Sequence, residues 1–369
     1  MESGEKFAKQ IFRTLQTFDF MGFRLLSMNN PFDFLAIGDI VIDAFISLEA
    51  AKIKEENGNP QLCMSFADKI PYNWLEVVPA VGNSPNASVS ASRLGLNSGL
   101  ITNVGDDDFG RQCQRALEED GVNIDFLKVH SGEKTNYHFV LLFKADRTIL
   151  VKHTEYDYKL PNFGKPKWLY LSSLAENSLP YHLEIAKYLY KNPEIKLAFQ
   201  PGTFQMELGY EKLKDIYKHT EVFFCNVQEA KRILNEVNPE IVGKIIGKEK
   251  QETIVYLLDE MRKLGPKISV ITDGPDGAYV DNGEKVLSIP MYPDLKEPLD
   301  RTGAGDAFAS TFTSALALGK DIEEALMWGP INSMNVVQYV GAQKGLLSRS
   351  ELEAYLEKAP DDYRVSEIK

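Results

Sequence analysis

Residues 300–310 read DRTGAGDAFAS. Gly303 and Gly305 flank Ala304, and Asp306 follows at once, ahead of small and apolar residues that run on as a helix would. Glycine lets a backbone turn tightly and approach a ligand closely. Amides at a helix mouth point outward with partial positive charge, which suits an anion. Phosphoryl transfer builds charge on the equatorial oxygens of the migrating group, and the amides of residues 303–305 would receive it. Asp306 stands where it can accept the proton of an attacking hydroxyl. Its place at a helix N-terminus predicts a lowered pKa, tolerable if the proton moves late. An acid in the first turn of a helix is also an ordinary structural feature, so this segment alone leaves both readings open.

Further segments pair a structural reading with a chemical one. In CNVQEAKRIL, Asn226 and Glu229 have the spacing of a capping box. The chemical alternative puts Glu229 near a hydrated Mg2+, an ion that keeps several waters and takes few direct carboxylates. In ITDGPDGAYV, Thr272, Gly274 and Gly277 form either a turn between strands or a loop that meets a nucleotide phosphate or ribose. In AVGNSPNASVSASRLG, Gly82 and Asn86 precede a small-residue helix. Asn86 is either its N-cap or a donor and acceptor for sugar hydroxyls. In AIGDIVIDAF, Asp43 is expected at the end of the first strand, facing water or holding two adjacent hydroxyls of a polyol.

These residues need strands and helices to bring them together. Short apolar runs (FDFLAIGDI, SGLITNVG, WLYLSS, IKLAFQP, TEVFFCN, KISVITDG) alternate with helical stretches. That rhythm predicts an α/β fold, a mainly parallel sheet with helices on both faces. Ligands of such sheets sit at the carboxyl ends of the strands, where each segment above falls. Residues 44–81 and 134–154 break the alternation. The second reads as a hairpin, and both are expected to supply the strands of a small β lid over the substrate. Residues 237–252 read as a surface insertion. Residues 1–30, rich in Phe and Leu with Lys and Arg interspersed, read as an N-terminal extension to one domain over 31–369.

Bulk properties narrow the classes. The 369-residue chain is 44% hydrophobic and 25% charged, ordinary for a globular protein with a sizeable core. Its net charge of −12 gives no footprint for nucleic acid. Cys63, Cys113 and Cys225 form no CxxC pair and fit a reducing cytoplasm. No apolar run approaches the roughly 20 residues of a membrane span.

Taken in this order, the segments resemble the PfkB family of carbohydrate kinases, with the ribokinase-like fold, over residues 32–350. DRTGAGDAF is similar to the family's C-terminal signature, and VGNSPNASVSASRLG to its N-terminal glycine signature, with Val81 where the family has a first glycine. NVQE resembles its Asn-x-x-Glu element, TDGPDG its nucleotide loop, and GDIVID its opening strand with the substrate aspartate. The resemblance implies ATP and Mg2+, with Asp306 as catalytic base and the amides of Gly303, Ala304 and Gly305 as anion hole. Thr272, Gly274 and Gly277 would meet the nucleotide. Asp43, Gly82 and Asn86 would hold the sugar, and Asn226 and Glu229 would position Mg2+ through water. Asp300 would be a candidate ligand for a monovalent cation such as K+, and Arg301 would reach the transferred phosphate or stay at the surface.

The expected activity is transfer of the γ-phosphate of ATP to a hydroxymethyl group of a ribose- or fructose-like monosaccharide. A nucleoside kinase is the alternative, with Phe199, Phe204, Tyr137 and Phe139 as candidates for an aromatic slot. A phosphosugar acceptor lacks an assignable basic pair, Arg93 alone being insufficient and open to a structural role. A third reading is a sugar- or nucleotide-binding regulator that keeps the fold without the chemistry. Exposed lid edges leave room for a homodimer.

Overall fold

The structure, a computed structural model, describes residues 32–369 apart from 57, 58 and 145; the expected N-terminal extension lies outside the described residues. In chain order the strands and helices are β1 (Phe34–Ile37), β2 (Val41–Leu48), β3 (Lys52–Glu56), β4 (Asn59–Cys63), β5 (Tyr72–Val81), α1 (Asn83–Arg93), β6 (Ser98–Gly105), α2 (Asp108–Glu119), β7 (Leu127–His130), β8 (Asn136–Phe143), β9 (Asp146–Leu150), β10 (Trp168–Leu171) and α3 (Leu179–Lys191). There follow β11 (Lys196–Phe199), α4 (Thr203–Leu208), α5 (Tyr210–His219), β12 (Thr220–Asn226), α6 (Val227–Val237), α7 (Pro239–Gly243), α8 (Lys250–Lys263), β13 (Ile268–Thr272), β14 (Ala278–Asp281), β15 (Val286–Ile289), α9 (Ala304–Ala317), α10 (Ile322–Val336), α11 (Arg349–Glu357) and β16 (Ser366–Glu367).

A 10-stranded sheet runs β16-β15-β14-β13-β12-β11-β10-β1-β6-β7. It is parallel from β7 to β13 and antiparallel beyond, through β14, β15 and β16. Strands covered on both faces need apolar residues at every position, and β1, β6 and β10 are buried throughout. Alternate residues then feed two cores. Phe34 and Ala36 join Phe308, Phe312 and Trp328 on one side of the sheet, while Leu35 and Ile37 join Ile185, Leu213 and Leu257 on the other. Residues 237–252 carry α7 and the start of α8 rather than a bare insertion.

The lid is a separate four-stranded sheet, β5-β2-β8-β9, with β3 and β4 as a further two-stranded ribbon. The chain leaves the main sheet after β1 and enters the lid at β2. It returns along β5 directly into α1. That detour sets Gly82 over the carboxyl end of β1. Its φ of 121° lies outside the range of most side chains, and a Cβ there would stand 2.7 Å from the Asp39 carbonyl oxygen.

Candidate active site

Helix α9 begins at Ala304 with Gly303 as N-cap, in the left-handed region at φ 80°. A Cβ on Gly303 would stand 2.3 Å from that of Ala342, so glycine is needed twice over. The first amides of a helix have no partner within it, which frees those of residues 303–306. Asp300 pins the turn: one carboxylate oxygen accepts from the Thr302 amide (2.9 Å) and hydroxyl (2.6 Å), the other from the Gly341 amide (3.1 Å).

Asp306 sits in the first turn of α9, its carboxyl enclosed by side-chain amides. Oδ1 accepts from Asn83 (2.8 Å) and Gln200 (3.1 Å), and Oδ2 from Asn86 (2.9 Å). Gln343 fixes the orientation of Asn86 by donating to its Oδ1 at 3.0 Å and to the Ala80 carbonyl at 2.7 Å. The Tyr170 hydroxyl donates to Oε1 of Gln200 in the same way. Burial pushes the Asp306 carboxyl above its ordinary range, against the pull of Asn86, Gln200, Asn83 and the nearby charge of Arg147. The lowered pKa expected from the helix terminus is therefore corrected: removing the carboxylate from water outweighs the local hydrogen bonds.

Two cavities meet here. One, of about 360 Å3, is lined by Asp39, Asp43, Gly82, Asn86, His138, Arg147, His153, Glu229, Arg301, Gly303, Asp306 and their neighbours. The other, of about 510 Å3, is lined by residues 272–278, Ala304, Met291, Pro330, Met334 and others. Asn226, Thr272, Gly305 and Phe308 border both. Of the residues assigned to catalysis, nucleotide, sugar or metal, each borders one or other cavity except Asp300, which acts on the turn from behind.

Several roles resolve differently from expectation. Asp43 is not at the end of the first strand: that place belongs to Asp39, and Asp43 lies in β2 of the lid. Asn86 is not an N-cap, because α1 starts at Asn83 with Gly82 capping, so Asn86 turns to Asp306 from inside the helix. Val81 ends β5 without a left-handed backbone, which Ala80 adopts instead at φ 61°. Asn226 and Glu229 do form the capping box, each accepting the other's amide at 2.9 Å, and both still face the cavity. Glu229 is pushed upward by burial and, more weakly, by the charge of Asp306. In the nucleotide-loop segment, Lys250 pairs with Asp273 at 2.7 Å and with Asp276, so those acids brace the loop.

Phe199, Phe204, Tyr137 and Phe139 do not line the cavity that holds Asp306. Phe199 is core, Phe204 packs edge-on to His153, and the other two pack on each other. Arg93 is structural, bonding Asp120 and the carbonyls of Gln343 and Leu346. Asp39, Asn83, His138, Arg147, His153, Gln200 and Gln343 had no assignment from the sequence. Gln200 and Asp39, each following an apolar strand at its carboxyl end, carried a signal that position could have read.

A mainly parallel sheet with a helix N-terminus and an acid at its carboxyl edge, under a β lid, is an α/β architecture with a site suited to an anion. The model of the pfkB family carbohydrate kinases matches residues 79–349, and the chain belongs to that family. It is a phosphotransferase with an alcohol group as acceptor. Ribokinase of Bacillus subtilis is 27% identical over 76% of this chain and 89% of its own length. The 5-dehydro-2-deoxygluconokinase of Halalkalibacterium halodurans is 29% identical over 90% and 97%. The solved nucleoside kinase of Methanocaldococcus jannaschii superposes with a TM-score of 0.68 at 23% identity, covering 89% of this chain and 100% of that one.

Proposed function

We propose that this protein transfers the γ-phosphoryl group of ATP to a hydroxymethyl group of a monosaccharide. Kinases of the family take ATP. The observation that carries the reading is the junction of the two cavities at Gly305, with Asp306 on one side of it. Nucleotide enters the cavity of Thr272, Gly274 and Gly277, and acceptor enters the cavity of Asp43, Gly82 and Asn86. The freed amides of Gly303, Ala304 and Gly305 face the boundary that the phosphoryl group must cross. Asp306 is the base: its raised pKa makes it a better proton acceptor than an ordinary carboxylate, and its three amide donors hold the ionised form in one orientation. Arg147, brought by the lid, adds positive charge beside that carboxylate.

Mg2+ fits the residues present. Glu229 is a carboxylate held up in pKa and facing a second one, which a cation relieves. Mg2+ keeps several waters, and Glu229 and Asn226 would hold it through them. Bound there, the ion would neutralise charge on the phosphates. Asp300, bonded by Thr302 and Gly341, positions the turn and stays a candidate for K+ only by resemblance.

The nucleoside alternative loses its expected aromatic slot, while a polar cavity favours a sugar. The lid leaves Tyr72, Trp74, Leu75, Val77, Phe139 and Leu150 exposed, which supports a homodimer closed lid to lid; a sedimentation mass of one chain at micromolar concentration would exclude it. No helix among the described residues is long and apolar enough to cross a membrane. Unpaired Cys63, Cys113 and Cys225 support a cytoplasmic setting. Isotope-labelled ATP with ribose, fructose, adenosine, inosine and cytidine tests the whole reading. Label should pass to a sugar; binding without transfer would leave the regulator.

A further inference from the structure

Tyr170 lines neither cavity, yet it stands two hydrogen bonds from Asp306. It lies in β10, fully buried, with its ring stacked on Phe34 of β1 at 5.4 Å. Its hydroxyl donates to Oε1 of Gln200, the residue that follows β11, and Nε2 of Gln200 donates to Oδ1 of Asp306 at 3.1 Å. Burial, and after it the charge of Asp306, push the phenol well above its ordinary range, so the hydroxyl keeps its proton. With Oε1 engaged, the nitrogen is the end of the amide left for the carboxylate. The reverse orientation would set Oε1 against a carboxylate oxygen.

The three amide donors divide unequally between the two oxygens of Asp306. An ionised carboxylate offers about four lone-pair sites, two on each oxygen. Oδ1 accepts from both Asn83 and Gln200 and is filled, whereas Oδ2 accepts from Asn86 alone and keeps one site. A proton leaving a hydroxyl needs a free lone pair, and Oδ2 has it. The charged groups that share the cavity with Asp306 are Arg147 of β9, Arg301 of the turn before α9 and Glu229 of α6, together with the Asp39–His153 and Asp43–His138 pairs. Arg147 and Glu229 act on Asp306 through charge. Its hydrogen bonds come from the amides, and two of these are held in place from behind, Asn86 by Gln343 and Gln200 by Tyr170.

We propose that Tyr170 is a positioning residue for phosphoryl transfer: acting through Gln200, and together with Asn83, it keeps Oδ1 of Asp306 occupied so that Oδ2 receives the acceptor's proton. This rests on the kinase reading and adds to it a residue outside both cavities. In the step, the acceptor oxygen bonds to the γ-phosphorus, ADP leaves with the electron pair of the broken P–O bond, and the hydroxyl proton passes to Oδ2. Tyr170 and Gln200 keep their own protons throughout. Their part is to hold the carboxyl in one orientation and to favour its ionised form.

The test is a double-mutant cycle, read by label transfer from ATP to whichever of ribose, fructose and adenosine the wild type prefers. Tyr170→Phe keeps the ring and its stacking on Phe34, and Gln200→Leu keeps bulk without the amide; circular dichroism and thermal melts check that both, and the double variant, fold. Each single variant should lose about tenfold in kcat, with KM for acceptor and for ATP within about threefold. The acid limb of the kcat profile should move to higher pH, by about one unit in Gln200→Leu and by less in Tyr170→Phe, because the ionised base has lost a donor or its support. The double variant should match Gln200→Leu alone, since Tyr170 reaches the base through that side chain. Losses that multiply in the double variant, a limb that stays in place, or a KM that rises while kcat holds would overturn the assignment and leave the kinase reading intact. A wild type that transfers label to none of the three acceptors would overturn the kinase reading and this inference with it.

Discussion

Replacing Asp306 by asparagine changes one oxygen into an amide and tests the base at nearly constant volume. The surroundings make the substitution awkward in either orientation. With its amide at the Oδ2 position, the new side chain would face the donating amide of Asn86. Asn86 cannot turn to help, because its own oxygen is held by Gln343, whose amide is held in turn by the Ala80 carbonyl. With its amide at the Oδ1 position, it would face the donors of Asn83 and Gln200. One or two buried donors lose their acceptor, at about 1–3 kcal/mol each, offset by removal of a buried charge whose pKa burial raises. Stability should therefore change little. Loss of a general base costs about 10²–10⁴ in rate, or about 3–5 kcal/mol in the barrier. Single-turnover transfer of label from ATP, beside calorimetric titration with ATP, separates chemistry from binding. The expected outcome is a rate down at least about 100-fold with nucleotide affinity within about threefold, since Asp306 does not line the cavity of Thr272 and Gly274. Transfer within tenfold of wild type, in a folded variant, would refute the assignment.

Other consequences follow from the same geometry. Gly303→Ala must place a Cβ 2.3 Å from that of Ala342 at φ 80°, and should lose about 2 kcal/mol or more of stability together with most phosphoryl transfer, read by thermal melts and label transfer. Because the base works ionised and its pKa is raised, the acid limb of kcat/KM should fall above pH ~4, the ordinary carboxylate value; a limb at or below that value would contradict the burial argument. Glu229 is also raised, so its contribution to stability is complete below the unfolded pKa and is lost as pH rises through the folded one. Glu229→Gln keeps the capping acceptor, and its melting temperature should gain on the wild type as pH rises from about 4 to about 8. Asn226→Ala removes a cap worth about 1 kcal/mol, read by thermal melts, and should raise the Mg2+ concentration needed for half-maximal turnover.

What the sequence made legible was local. Gly303, Gly305 and Asp306 stand within four residues, and their glycine turn and helix mouth need no tertiary knowledge. Strands β1, β6 and β10 to β13 were plain because burial on both faces demands continuous apolar runs, whereas β7 and β16, part-exposed at the sheet's edges, carry no such run. What escaped was assembled across the chain. Asn83, Gln200 and Gln343 meet at Asp306 and Asn86 only because α1, the end of β11 and the segment after α10 converge there. Each looks like an ordinary polar residue in its own context. His138, Arg147 and His153 reach the cavity only through the register of the lid, in which Asp43 pairs with His138. The sign of the Asp306 shift failed for the same reason: a helix terminus is visible in sequence, but enclosure by distant segments is not.

The most direct measurement is a crystal structure with ADP, Mg2+, aluminium fluoride and a sugar acceptor. The fluoride ligands should lie about 2.7–3.1 Å from the amides of residues 303–305, with the acceptor hydroxymethyl oxygen within hydrogen-bonding reach of Asp306. A phosphoryl mimic bound away from that helix mouth, or an acceptor oxygen that cannot reach Asp306, would contradict the account.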